Sequence, residues 1–304
     1  VLLLASLLAA PLAPAPAFGG QVVTAETKAW AAEALRQEKT AGTPAGKNSV
    51  AVLNFANRTG QASNDPLRKG IPLMLITDLS TVPGLDVVER VRFQALAEEM
   101  KLGASGLVES GTEPRIGKLL GARWIVGGDL SGSASELKAD ARVLDVPKDN
   151  VTGQPSATGN VDDLFTIEKS LLFGLLKELK VEVTPEQEKK LRKPCSTKAG
   201  ALLSLFKAVD ESDRGNYAKA NEQYEKALKE DPGICIAGEA VAELKALGLL
   251  APKPAPARKK SVDALETLKG ETSVTDQLAP KEQLRTVVPP KDTGTPANLN
   301  VIFP

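Results

Sequence analysis

Residue types that commonly carry chemistry are thinly spread in this sequence. Glu89-Arg90 follow an apolar run ending at Val88, at the end of an expected strand, where open α/β sheets often hold ligands. The plainer reading of the pair is an ion pair that holds the following helix. Asp129, just after Gly127-Gly128, is an acid without a second carboxylate to converge on it, so it lacks a catalytic partner. Asn54, Asn57 and Arg58 are polar groups of one flexible loop and suit a partner surface as readily as solvent. The stretch Gly42-Thr-Pro-Ala-Gly46-Lys47-Asn-Ser49 looks like a phosphate loop. It has one residue too few between its glycines, however, and it precedes a strand where the motif follows one. There is no histidine, which removes Ser-His-Asp and Cys-His catalysis and every histidine-ligated metal site. Cys195 and Cys235 form neither a redox nor a zinc pattern. The expectation is a protein that is not an enzyme, with no catalytic residue, metal, cofactor or small-molecule substrate.

Composition narrows the partners. The 304 residues include 38 basic and 38 acidic side chains, so no global field draws in nucleic acid or an anionic membrane. Aromatics make up 4%, too few for a base-stacking surface. The run Val1–Ala10 followed by Ala15-Pro16-Ala17 reads as the apolar region and cleavage pattern of a secretory leader, too short to span a bilayer. No cysteine follows that pattern to carry a lipid. Residues 1–17 are therefore expected to be a leader, with a mature chain starting near Phe18 in the periplasm of a Gram-negative type of cell.

The elements that would position these residues follow in order. Residues 18–47 read as an arm with a helix around Lys28–Glu38. Ser49–Phe55 is a buried strand, and a helix opened by Pro66 or Pro72 reaches Thr81 with its apolar residues on one stripe. Leu85–Val88 is a second strand, followed by a helix over Val91–Leu102. Glu113–Leu120 is a helix with Pro114 in its first turn and a left-handed cap at Gly121. Trp124–Val126 is a short buried strand ending in the flexible pair Gly127-Gly128, whose glycines permit a bulge or a close backbone approach. Leu137, Ala139, Ala141 and Val143 alternate along a half-exposed strand over Glu136–Val146. Pro147–Pro155 is a turn, Ser156–Val161 a return strand and Leu164–Leu179 an amphipathic helix. The order predicts an α/β fold: a mixed sheet with helices packed on it, over residues 48–183.

A small all-α unit is expected over residues 184–250. Ala208, Gly215, Tyr217, Ala220, Tyr224, Ala227, Leu228 and Pro232 stand at tetratricopeptide spacing, small residues letting two antiparallel helices approach. Stable arrays need about three repeats; one is present, followed by a capping helix, so it is expected to lean on the α/β domain. The start of the first helix and the end of the second should lie side by side. That brings Cys195 near Cys235, and in an exported chain a disulfide is expected. Closing a loop of about 40 residues would contribute about 4 kcal/mol in the chain-entropy picture. Residues 251–304 read as linker and tail, with a short helix at Ser261–Lys269 and a strand-like Asn298–Phe303.

Val50-Ala-Val-Leu-Asn-Phe55, Val87-Val88-Glu89-Arg90, Leu96-x-x-Glu99, Gly106-Leu-Val108, Ile116-Gly117, Leu119-Leu-Gly121-Ala122 and Gly128, taken in order, resemble the CsgG/HfaB family and its TolB N-terminal-like and FlgO-like kin. The resemblance covers about residues 48–180, and some family members carry a tetratricopeptide hairpin after this domain. It implies a periplasmic scaffold that self-associates through the α/β domain, with protein partners of the cell envelope met by the helical unit and peripheral association with the outer membrane. Family channel subunits use a lipidated cysteine and two amphipathic membrane hairpins. Neither stands in this sequence where the resemblance would place it, and Ser131–Glu136 is only a tight turn. The expected role is a non-enzymatic envelope assembly component in secretion, surface-fibre or flagellar apparatus, the alternative being a subunit of a CsgG-type export channel.

Overall fold

The computed structural model describes residues 20–40, 46, 48–102, 111–133 and 135–250. The expected leader, Gly106–Val108 and the tail from 251, with its helix and strand, lie outside these residues. In order, the elements are α1 (Ala25–Arg36), β1 (Ser49–Val52), β2 (Ala56–Asn57), α2 (Leu67–Leu79), β3 (Asp86–Val87), α3 (Arg90–Glu99), α4 (Glu113–Leu120) and β4 (Trp124–Gly132). Then come β5 (Leu137–Asp145), β6 (Asn150–Gly153), β7 (Ser156–Gly159), α5 (Leu164–Glu178), α6 (Pro185–Leu191), α7 (Ala199–Asp213), α8 (Tyr217–Glu230) and α9 (Ala237–Ala246).

The strands form one mixed sheet in the order β3-β1-β4-β5-β6, with β2 also paired to β4 and β7 to β5. β3, β1 and β4 run parallel, while β4 to β7 pair antiparallel. Burial follows the pairing. Parallel β1 is buried on both faces: Val50 and Val52 enter the core under α2, whereas Ala51 and Leu53 pack towards α3 and α4. Antiparallel β5 alternates, with Leu137, Ala139, Ala141 and Val143 inward and its other face bearing Lys138, Asp140 and Arg142.

Local chemistry explains the element ends. α4 stops at Gly121, at φ 68°, where Gly121 N–H donates to the Lys118 carbonyl and Ala122 N–H to the Gly117 carbonyl, a Schellman closure. α2 runs straight through Pro72. Proline has no N–H for the Arg68 carbonyl, and that carbonyl instead accepts the Phe55 N–H at 2.9 Å, so the lost helical bond becomes a strand-to-helix bond.

Three sequence expectations change. β4 does not end at Gly127-Gly128 but continues to Gly132, because β5 pairs with it along all nine positions. Gly128 serves a close approach inside the strand: a Cβ there would strike the Phe55 ring and the Asp140 carbonyl. Within the expected turn over Pro147–Pro155 lies β6, which pairs with β5 through a bulge at Val143/Leu144. Finally, α2 has no single apolar stripe. Residues 69 to 76 are all buried, as expected of a helix covered on every side.

What covers α2 is the sheet below, α5 beside it and α7 above. The segments expected as an α/β domain (48–183) and a helical unit (184–250) thus lie in one compact unit with a continuous core from Val50 to Leu244. α7 and α8 form the antiparallel hairpin. Ala208, Ala220, Tyr224 and Ala227 are buried in it, Gly215 turns it at φ 75° and Pro232 follows its second helix. The Phe206 ring lies flat against Gly70 of α2, so close that any Cβ at position 70 would enter the ring. α7, the helix of the hairpin expected to meet a partner, is therefore spent on α2, leaving the outer faces of α8 and α9.

Candidate functional site

The densest polar construction among the described residues is the seam between the sheet domain and the helical hairpin. Arg90, the first residue of α3, points away from Glu89 and into the hairpin. Its Nη1 lies 2.9 Å from both carboxylate oxygens of Asp213 at the end of α7. Its Nη2 donates to the Gln21 carbonyl at 2.7 Å and its Nε to Gln21 Oε1 at 3.2 Å. Lys69 of α2 reaches the same Asp213 at 2.8 Å and Asp210 at 3.1 Å. The Asp213 side chain is fully buried and those of the two cations nearly so. Burial of this kind is tolerated only when charges are paired and hydrogen bonded.

The N-terminal arm completes the seam. Gln21 and Val22 N–H donate to the Glu243 carboxylate of α9, at 2.6 and 3.3 Å. Gly20 lies directly against the Glu243 carboxylate, which would have to shift to admit a Cβ there. Tyr224 stands beside these charges with its hydroxyl buried and without a hydrogen-bond partner among the described residues; burial pushes it above its ordinary pKa, so it stays neutral. Next to the seam opens a cleft of about 230 Å³ between α2, the edge strand β3 and the arm, lined by Leu73, Ile76, Val87, Glu89, Arg90 and Ile236. Glu89 is exposed at its mouth, while Val88 is tied into the sheet by its N–H to the Val50 carbonyl.

The remaining candidates resolve into structural roles. Asp129 pairs with Arg58 at 2.7 Å and stands 3.8 Å from Arg142, linking neighbouring strands on the open sheet face. Asn57 accepts from Thr59 N–H and Oγ1 and donates to the Gln61 carbonyl and Asp65, so the loop expected to be flexible is cinched. Asn54 is buried. Of the phosphate-loop-like stretch, Ser49 lies in β1 with its hydroxyl 2.9 Å from the Gly46 carbonyl and accepting from Arg123 N–H, wholly engaged by backbone. Gly117 lets α4 sit against Val146, and Ala122 is buried behind it. Cys195 and Cys235 are bonded, with Cα atoms 5.1 Å apart. No metal-ligating group of three residues occurs among the described residues, and no helix there is long and apolar enough to cross a membrane.

Sequence reasoning missed Lys69, Asp213, Gln21 and Glu243. The available signal was Arg68-Lys69-Gly70 interrupting the otherwise apolar Leu67–Ile76, since a charge inside a covered helix needs an acid from elsewhere. A second such charge is Glu168 in the buried face of α5. Its Oε2 meets Lys169 at 3.1 Å, Lys169 also pairs with Asp78 of α2, and its Oε1 has no hydrogen-bond partner among the described residues. Burial, then the nearby Asp78 charge, push Glu168 up to about 8.

Residues 31–141 match the family model described as the curli production assembly/transport component CsgG. The domain around this sheet is CsgG-like. The match takes in α1 and ends inside β5, so α5 and the helical hairpin lie beyond it. The tetratricopeptide likeness of that hairpin rests on its sequence pattern alone. A curated protein of Rhizobium meliloti (strain 1021) named "Putative adenylate cyclase 3" is 25% identical over 197 residues, 63% of this chain. The chain spans about a third (31%) of that relative's length. Among solved structures, the LpoB C-terminal domain from Salmonella enterica is 15% identical, covering 44% of this chain and 98% of its own, at a TM-score of 0.31. Lipoprotein GNA1162 from Neisseria meningitidis is 16% identical, covering 45% and 99%, at a TM-score of 0.31.

Proposed function

We propose that this chain is a non-enzymatic scaffold of the cell envelope, acting in the periplasm by protein–protein contacts within a secretion, surface-fibre or flagellar assembly. The observation that carries the reading is the CsgG-family match over residues 31–141. The seam supports it, because Arg90, which looked like chemistry, is committed to an internal pair with Asp213 that ties the sheet to the hairpin. Self-association through the CsgG-like domain, and peripheral attachment to the outer membrane, belong to the same proposal. A subunit of an export channel is the second reading, favoured by the same family match. Against it, the β4–β5 connection closes as a tight turn, with Ser133 and Glu136 bonded to one another, and carries no membrane hairpin.

Affinity capture from crosslinked envelopes tests the proposal: an envelope protein complex is expected to come down with the chain. Recovery of cytoplasmic proteins alone would overturn it. The purified full chain is also expected to form no cyclic nucleotide from ATP, and measurable cyclase turnover would reverse the non-enzymatic reading. Sedimentation should show an oligomer at high concentration; a strict monomer would remove self-association from the proposal.

A further inference from the structure

Ile236 has φ 68° and ψ −40°, and the Ala237 N–H donates to the Cys235 carbonyl at 2.7 Å. This is a γ-turn of the positive-φ kind, which is rare and strained. A β-branched side chain is poorly suited to it. The other described non-glycine residues with positive φ are Lys101, Asp149 and Lys180, none of them β-branched. Strain of this kind persists only where the surroundings over-determine it. On one side of Ile236 stands the Cys195–Cys235 bond; on the other α9 begins at once, its Ala240 N–H donating to the Ile236 carbonyl. The buried Ile236 side chain forms a wall of the seam cleft beside Gln21 and Arg90. The same helix carries Glu243, which holds the arm.

We propose that the Cys195–Cys235 bond is a redox latch: it keeps Ile236 in the strained turn, and its reduction lets the start of α9 relax, releases the arm at Gln21 and Val22, and opens the cleft. Both cysteines are half-buried, within reach of a small reductant. A dithiol supplies the chemistry. One of its thiolates attacks a sulfur of the pair to give a mixed disulfide, and its second thiol displaces that sulfur. Cys195 and Cys235 end as two thiols and the reductant as its own disulfide, with two electrons and two protons transferred. The hairpin does not depend on the bond alone, since Ser196 Oγ donates to Asp231 and Lys198 Nζ to the Glu230 carbonyl, both at 2.5 Å. Reduction therefore acts locally.

The test uses the full chain with and without dithiothreitol, reading amide hydrogen exchange at Gln21, Val22 and Ala237. Thiol titration of the denatured, unreduced protein should find no free thiol. Reduction should speed exchange at those three amides by about tenfold while the strands stay protected. In Ile236→Gly, where positive φ costs little, reduction should leave the same amides nearly unchanged. Two free thiols before reduction, or unaltered exchange after it, would overturn the latch. Equal acceleration in Ile236→Gly would do so too, because the bond would then act on the hairpin as a whole and not through the turn.

Discussion

Helix α2 carries two buried charge clusters built on opposite terms. Near its start, Lys69 and Arg90 face Asp213, whose carboxylate is bonded on both oxygens, and Lys69 also reaches Asp210, which pairs outward with Arg214. Near its end, Asp78 and Glu168 share the cation Lys169, and one Glu168 oxygen has no hydrogen-bond partner among the described residues. The first cluster is paired throughout and joins two parts of the chain. The unbalanced one sheds a charge, since Glu168 holds its proton up to about pH 8. Acids matched by at least as many cations make a seam; two acids on one cation make a titrating site.

The largest test breaks the first cluster. Asp213→Ala strands two buried cations and is expected to cost about 3–5 kcal/mol in denaturant unfolding. A loss under 1 kcal/mol would show that water reaches the seam. Gly70→Ala attacks the packing that sets it, pushing a methyl into Phe206, and should cost about 1–3 kcal/mol.

Glu168→Gln sharpens the other side. The folded pKa of Glu168 is raised, so its stabilising share is full below the unfolded value near 4.5 and drains away as pH rises towards about 8. The wild type should therefore lose up to about 1.4 kcal/mol per pH unit in that window relative to the variant. Parallel stability curves from pH 5 to 8 would remove Glu168 as the titrating group. Arg58→Ala, which breaks an exposed pair with Asp129, is the baseline and should change stability by no more than about 1 kcal/mol in the same denaturation assay.

Much of the sheet domain was legible because its signals are local. The Gly121 cap, the alternation of β5 and the buried run of β1 each follow from adjacent residues. β4 is longer than its apolar run implies because its length comes from pairing with β5, which overrides two glycines. The seam was illegible for the same kind of reason. Glu89 and Arg90 look like a pair in sequence, yet the acid that satisfies Arg90 lies 123 residues away. Burial on every side of α2 was written in its composition, but only the hairpin reveals what covers it.

That covering has a consequence for modularity. Gly70, with an aromatic ring against its backbone and buried Lys69 beside it, has no use on a helix facing water. A chain ending near Val183 would present Leu73, the bare backbone at Gly70 and two orphaned cations to solvent. The hairpin is thus not an appendage that can be traded between proteins as a cassette. Any CsgG-like domain that dispenses with it needs either a polar outer face on this helix or another protein seated in the hairpin's place.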